Sequence, residues 1–214
     1  MFEHERRARF EGIVAPEVLD RQVVTIIGCG AIGSAVGRVL AAMGVGKMVL
    51  FDFDAVDPVN LGTQGWKPRQ LQMLKVDALK SDIRELNPDI EVVTLARRWE
   101  PQSHVPSTLT FLCVDTLTAR DDILSDLRDY GVIVDTRMGA QTLMIVSGDA
   151  EYILATLPKG PGYEAPCTER ATYYCASVAA GFAVAQAVKY LRGQQPEYPR
   201  FMVNLQHTDL MELP

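Results

Sequence analysis

The chain reads as an α/β protein: a mostly parallel sheet with helices on both faces and an antiparallel C-terminal extension. Three observations predict it. Short apolar runs at 23–27, 47–51, 91–95, 110–114 and 132–135 alternate with stretches of helical periodicity, which is the grammar of βαβ units. The first run leads straight into Gly28-Cys29-Gly30-Ala31-Ile32-Gly33. After Asp135 the alternation stops, and two apolar runs separated by Gly148-Asp149 replace it.

Taken in order, residues 1–20 form an arm or short helix bearing Arg6, Arg7 and Arg9. Val23–Ile27 is the first strand. The helix after Gly30 carries Ile32, Val36, Val39, Leu40 and Met43 on one face, and Gly44 and Gly46 end it. The second strand, 47–51, is an apolar run, as a strand covered on both faces should be. Residues 55–66 read as a polar loop punctuated by Pro58, Gly62 and Gly65. A helix over 69–86 stops at Asn87-Pro88. Strands at 91–95 and 110–114 follow, the latter ending at Asp115. A helix over 119–130 ends at Gly131, and 132–135 is the fifth strand. The runs 142–147 and 152–157 predict a hairpin turning at Gly148-Asp149. Residues 158–166, rich in Pro and Gly, form a loop. A helix over 172–192, apolar nearly all round, should be buried, and a short strand at 201–204 completes the chain. The organisation expected is an N-terminal arm, 1–20, on a single domain, 21–214.

With 214 residues the chain is long enough for a full core. Its 48% hydrophobic and 22% charged residues are those of an ordinary water-soluble domain. A net charge of −6 argues against general nucleic-acid binding, which needs a basic face. The four cysteines, Cys29, Cys113, Cys167 and Cys175, form no C-x-x-C pair, so a structural zinc site of the usual spacing is not expected. No secretory signal and no membrane span is legible, and the expected location is the cytoplasm.

Gly28, Gly30 and Gly33 fit G-x-G-x-x-G between a strand and a helix. That turn lets backbone N–H groups approach a phosphate, in the Rossmann-like manner. Asp52 closes the second strand about 20 residues later, where a carboxylate meets a ribose hydroxyl. A nucleotide site is the result, although a glycine turn that only packs helix on sheet has the same spelling. Three further features narrow the choice: Asp52-Phe53-Asp54-Ala55-Val56-Asp57-Pro58-Val59-Asn60-Leu61-Gly62-Thr63-Gln64, Lys75 ahead of Leu86-Asn87-Pro88, and Asp115 at a strand end.

On these motifs the chain resembles the ubiquitin-activating-enzyme superfamily in its short ThiF/MoeB/HesA form, from about Arg21 to Leu191. That family's pattern runs G-x-G-x-x-G, D-x-D-x-V-x-x-x-N-L-x-R-Q, a Lys ahead of a helix ending in N-P, and an Asp at a C-x-D-N-type strand end. The resemblance implies ATP and Mg2+, and adenylation of the C-terminal carboxylate of a ubiquitin-like or sulfur-carrier protein with a glycine tail. It implies Gly28, Gly30 and Gly33 at the phosphates, Asp52 at the ribose, and Asn60 and Gln64 along the phosphate site. Lys75 would reach the phosphates, Asp115 would hold the metal or orient the carboxylate, and Arg120 and Arg137 would lie near the nucleotide or the tail. It also implies a homodimer, with Arg6, Arg7 or Arg9 reaching across, or Arg69 serving in their place.

Two positions carry open alternatives. Thr63 stands where the family pattern has Arg, and Thr cannot neutralise a phosphate. Either another cation substitutes, or the chain is a non-catalytic partner of an active homologue. Cys167 follows Pro166 ahead of a helix and is similar to the place where some family members hold a reactive cysteine. A thiolate at a helix N-terminus is a good nucleophile, while a structural cysteine in a tight loop is the alternative. Cys29, Cys113 and Cys175 are expected to pack. A nicotinamide-dependent oxidoreductase would share the glycine turn and Asp52 but leaves Lys75 and Asp115 without a task.

Overall fold

The computed structural model describes residues 5, 7–101, 103, 105–128, 131–158 and 171–213. Its centre is one eight-stranded sheet in the order β3-β2-β1-β4-β5-β6-β7-β8. The strands are β1 (Val23–Ile27), β2 (Lys47–Phe51), β3 (Glu91–Leu95), β4 (Leu109–Leu112), β5 (Val132–Gly139), β6 (Thr142–Gly148), β7 (Arg200–Asn204) and β8 (Asp209–Glu212). The first five are parallel to one another; β6, β7 and β8 run antiparallel as a meander.

The helices are α1 (Pro16–Asp20), α2 (Ala31–Met43), α3 (Pro58–Gln64), α4 (Lys75–Leu86), α5 (Leu117–Asp126), α6 (Ala150–Ala155) and α7 (Tyr173–Leu191). Helix α2 packs against both α4 and α7, and α5 packs against α6. The two groups cover opposite faces, so the interior divides into two clusters. One gathers Val24, Ile26, Val36, Leu40, Leu79, Ile83, Phe111 and the alanine face of α7. The other gathers Ile27, Val49, Phe51, Leu112, Ile123, Leu124 and Ile153. Adjacent residues of β1 and β2 thus fall into different clusters, as the two-residue period of a strand requires. Val14 and Leu19, from the N-terminal segment, join the larger cluster.

Several elements depart from the sequence expectation. The hairpin turns at Ala140-Gln141, between Gly139 and Thr142, and β5 extends to meet it. The run 152–157 is not a strand: Asp149 caps α6, its side chain accepting from the Tyr152 N–H at 2.7 Å. The polar loop 55–66 contains α3, which Asp57 and Pro58 open. Helix α4 begins only at Lys75, after a 3₁₀ turn at Pro68–Gln70. Helix α7 is not buried all round: Tyr173, Tyr174, Ser177, Gly181 and Ala185 are exposed along one side. A further strand, β8, follows β7, and all four of its residues are exposed.

Connections from β1 lead toward β2 on one side, while β4 flanks β1 on the other. The order therefore reverses between β1 and β4, and it is in the crevice at the carboxyl ends of such strands that α/β sheets bind ligands.

Candidate functional site

At the mouth of that crevice the chain leaves β1 through Gly28, whose φ of 90° suits glycine. The Gly28 N–H donates to the Phe51 carbonyl at 2.8 Å, so the turn is tied to the end of β2. The three glycines have different reasons to be glycine. A Cβ on Gly28 would lie 2.7 Å from the Cys113 carbonyl oxygen, and one on Gly33 only 1.9 Å from the Gly28 carbonyl oxygen. These two permit close packing of β1, β4 and α2. A Cβ on Gly30 would meet nothing within 4 Å. Gly30 is also the N-cap of α2, with no side-chain cap on the helix's first N–H groups. The helix end is thus open, with free donors and a favourable dipole for an anion.

Asp52 stands beside this turn. One carboxylate oxygen accepts the Cys29 N–H at 2.7 Å and the other the Asp54 N–H at 2.8 Å. Burial pushes its pKa above the usual aspartate range; the two N–H groups and the Lys75 charge oppose that shift. The Lys75 ammonium lies 2.7 Å from an Asp54 carboxylate oxygen, and the Lys75 N–H donates to the Asp54 carbonyl at 2.8 Å. The pairing has a local cause. Residues 54–56 and 72–75 run alongside each other, with a bridge between Ala55 and Leu74 and bonds between Val56 and both Gln72 and Met73. The sequence reading left Asp54 without a task, although its D-x-D spacing marked it.

Asp115 follows β4, and the Cys113 N–H still bonds the Ile27 carbonyl at 2.8 Å. Thr116 then caps α5, accepting from the Ala119 N–H at 3.2 Å. Asp115 is exposed at the turn between them. Beneath it, Arg120 donates to the Val114 carbonyl and pairs with Asp135. Asp135 is fully buried and also holds Arg137, through contacts of 2.7 Å to Nε and 2.6 Å to Nη2. Burial lowers the pKa of Arg120 to about 9 and that of Arg137 to about 10, the Arg137 charge adding to the burial effect on Arg120. The guanidinium groups face Asp135 and not the open helix end, so Arg120 is placed as a support for the Asp115 turn. Asp135 was not picked out from sequence; a lone Asp inside an apolar strand was its only signal.

The remaining expected residues are placed as follows. Asn60 Oδ1 accepts the Asp57 N–H at 3.0 Å and so closes the start of α3. Gln64 Oε1 accepts from the Trp66 indole N–H at 2.9 Å. The Thr63 hydroxyl donates back to the Val59 carbonyl at 3.2 Å. Arg7 is held by Asp20 at 2.6 Å and by the Gly44 carbonyl at 2.9 Å. Gly44 ends α2, so Arg7 sits at the opposite end of that helix from Gly30 in its own chain. Arg69 pairs with Glu85. Cys29 and Cys175 are buried and Cys113 is partly so, as expected of packing residues. Burial raises all three thiols, Cys113 to about 12. Cys167 and Arg6 lie outside the described residues.

The residues present suit a nucleoside polyphosphate: an uncapped helix end, a carboxylate beside it, and Lys75 and Asp115 on the neighbouring loops. Among the described residues no group of three or more His, Cys, Asp or Glu is placed to hold a metal. Mg2+ needs only one or two carboxylates when phosphates and waters complete its shell, and Asp115 can serve in that way. No helix among the described residues is long and apolar enough to cross a membrane.

Comparison with known proteins bears on the fold and the family. Ubiquitin-like modifier-activating enzyme 5 of Rattus norvegicus is 31% identical over 137 residues, covering 56% of this chain and 34% of that protein. The same enzyme of Branchiostoma floridae is 38% identical over 71 residues, covering 33% of this chain and 18% of that protein. The chain thus spans about a third or less of the relatives it matches. Among solved structures, E. coli MccB with MccA-N7isoASN superposes with a TM-score of 0.84 at 16% identity, over 97% of this chain and 70% of that one. MccB with ATP gives 0.76 at 16% identity, over 92% of this chain and 65% of that one. PaaA gives 0.78 at 20% identity, over 99% and 73%. These likenesses establish the mixed, mostly parallel fold. The ThiF family model matches residues 5–213, and with that match over nearly its whole length the chain belongs to the ThiF family.

Proposed function

We propose that this protein binds Mg·ATP and adenylates the C-terminal carboxylate of a ubiquitin-like protein, a sulfur carrier or a peptide. The observation that carries the reading is the helix end at Gly30, uncapped and open, beside Asp52 and flanked by the Lys75 and Asp115 loops. In the reaction a carboxylate oxygen forms a bond to the α-phosphorus, the bond from that phosphorus to the bridging oxygen breaks, and pyrophosphate leaves. Negative charges are forced together, so the site needs cations and fixed donors more than a base. Asp52 accepts the ribose hydroxyls and the N–H groups of the turn receive phosphate oxygens. Lys75, with two donors beyond its Asp54 bond, stabilises charge on the polyphosphate. Asp115 would hold Mg2+, whose charge would offset that of the phosphates. That MccB, of the same fold, has been solved with ATP and with MccA supports a nucleotide and a peptide as partners.

In the same reading the protein works in the cytoplasm as a homodimer, residues 21–214 form one adenylation domain, and Cys167 receives the activated acyl group as a thioester while the acyl–oxygen bond to AMP breaks and AMP leaves. A second reading, a non-catalytic partner of an active homologue, draws on Thr63, whose hydroxyl is turned to the Val59 carbonyl and brings no positive charge.

The test is calorimetric titration with Mg·ATP and, separately, with NAD. ATP binding without NAD binding is expected, followed by exchange of labelled pyrophosphate into ATP once a tail protein is supplied. NAD binding would restore the oxidoreductase reading. Binding of neither would move the protein to the non-catalytic class.

A further inference from the structure

Behind Gln64 lies a set of contacts that the proposed chemistry does not use. The Trp66 indole N–H donates to Gln64 Oε1 at 2.9 Å. Arg38 stacks over the Trp66 ring, its Cζ 4.8 Å from the ring centroid. The Arg38 Nη1 group donates to the Gln64 carbonyl at 3.3 Å and to Ser34 Oγ at 3.2 Å, and Ser34 Oγ in turn donates to that same carbonyl at 3.3 Å. Arg38 Nε is fixed by Asp82 at 2.9 Å. Asp82, 3% exposed, also takes Lys67 and Gln70 at 2.8 Å each. Both the main chain and the side chain of Gln64 are therefore held, by Arg38 and Ser34 of α2 and by Trp66, with Asp82 of α4 fixing Arg38.

The indole N–H is a donor only. Its bond to Gln64 decides which end of the carboxamide is which: the oxygen points at Trp66 and the NH2 group points away. A freely rotating glutamine would offer an anion its oxygen as often as its NH2. We propose that Trp66 and Arg38 are positioning residues that lock the Gln64 carboxamide with its NH2 end outward, as a fixed donor for the polyphosphate of the nucleotide. This rests on the ATP-binding reading. It names a task for Gln64, a donor and not a metal ligand, and a reason for Trp66 to be an indole where any large apolar side chain would fill the space. Trp66 is only 4% exposed, so its N–H needs a buried acceptor, and Gln64 supplies it.

The test compares Mg·ATP with AMP, which shares the adenosine and α-phosphate but lacks the polyphosphate. Trp66→Phe keeps the ring beneath Arg38 and removes the N–H. It is expected to weaken Mg·ATP by about fivefold to tenfold, less than the full worth of one hydrogen bond to a charged group because the freed carboxamide still reaches the phosphate part of the time, and AMP by less than about twofold. In a Gln64→Leu background the same substitution is expected to have no further effect on ATP. Equal weakening of both nucleotides, or the same loss with and without Gln64, would assign Trp66 to packing alone and overturn the proposal. If Trp66→Phe fails to fold, Arg38→Met carries the same comparison, since it removes one of the two donors to the Gln64 carbonyl and the cation stacked on the indole. An unaltered protein that binds no ATP would defeat the functional reading and this one together. A Trp66→Phe variant that binds ATP as tightly as the unaltered protein would defeat only the positioning role.

Discussion

Two carboxylates, Asp82 and Asp135, each hold two cations in the interior, and they do so under opposite conditions. Asp82 is 3% exposed, but one of its partners reaches water, the Lys67 side chain at 41%, while Arg38 is 16% exposed. Asp135 is wholly buried, and neither of its partners is open as Lys67 is, with Arg120 at 3% and Arg137 at 15%. At Asp82 solvent and Glu85 share the excess positive charge, and the Lys67 pKa is raised by its hydrogen bonds to Asp82 and Glu85. At Asp135 burial dominates, and both guanidinium groups have lowered pKa values. The same constellation is a fastener for a surface segment in one place and a structural joint in the other. What decides is access to water, not the identity of the charges.

The comparison can be broken in order of expected effect. Asp135→Asn leaves two buried cations without a counter-charge and is expected to cost about 3–5 kcal/mol in urea unfolding. A loss below about 1 kcal/mol would mean that water reaches the cluster. Lys75→Ala is expected to slow adenylation by about 10²-fold without changing the unfolding midpoint, as for the loss of one electrostatic stabiliser. Asp82→Asn is expected to cost about 1–3 kcal/mol, less than its counterpart because Lys67 can turn to solvent and to Glu85. Arg137→Met is expected to cost under about 1.5 kcal/mol, because Arg120 still neutralises Asp135 and the cluster becomes neutral. A larger loss would show that both arginines are required.

Two pH effects sharpen the picture. Burial disfavours the Asp52 carboxylate, so its folded pKa lies above the ordinary aspartate value. If ATP binding uses the ionised form, affinity holds at neutral pH and falls on acidification, beginning above the usual aspartate range; a calorimetric pH series reads it. The Cys113 thiol, pushed to about 12, stays protonated at pH 8. Alkylation of the native protein, followed by mass spectrometry, is expected to leave it unmodified over a time in which a free thiol reacts completely.

How much of this was legible in sequence depends on what each part answers to. The parallel strands declared themselves because strands covered on both faces must be apolar throughout, as Lys47–Phe51 and Leu109–Leu112 nearly are. The glycine turn and Asp52 were legible because backbone geometry imposes them. The hairpin was misplaced because the true turn carries Ala140 at φ 52°, a conformation alanine does not announce, while Gly148-Asp149 looked like a turn and was a helix start. The run 152–157 is too short for its periodicity to tell helix from strand. The pairing of Lys75 with Asp54, and the hub on Asp82, were invisible because each joins residues 12 or more positions apart through a fold that spacing alone does not supply.

The outermost strand has a consequence of its own. β8 ends the sheet with one row of backbone donors and acceptors turned to water, and Leu210 and Met211 are exposed on it at 56% and 41%. Such a rim is a template on which a second molecule can add a strand. Asp209 and Glu212 stand at its two ends. In an antiparallel pairing of β8 with its own copy about its centre, Asp209 of each molecule faces Glu212 of the other, and like charges set opposite each other repel. The four-residue rim thus carries a built-in penalty against growing by self-addition, at a place where its side chains would otherwise invite it.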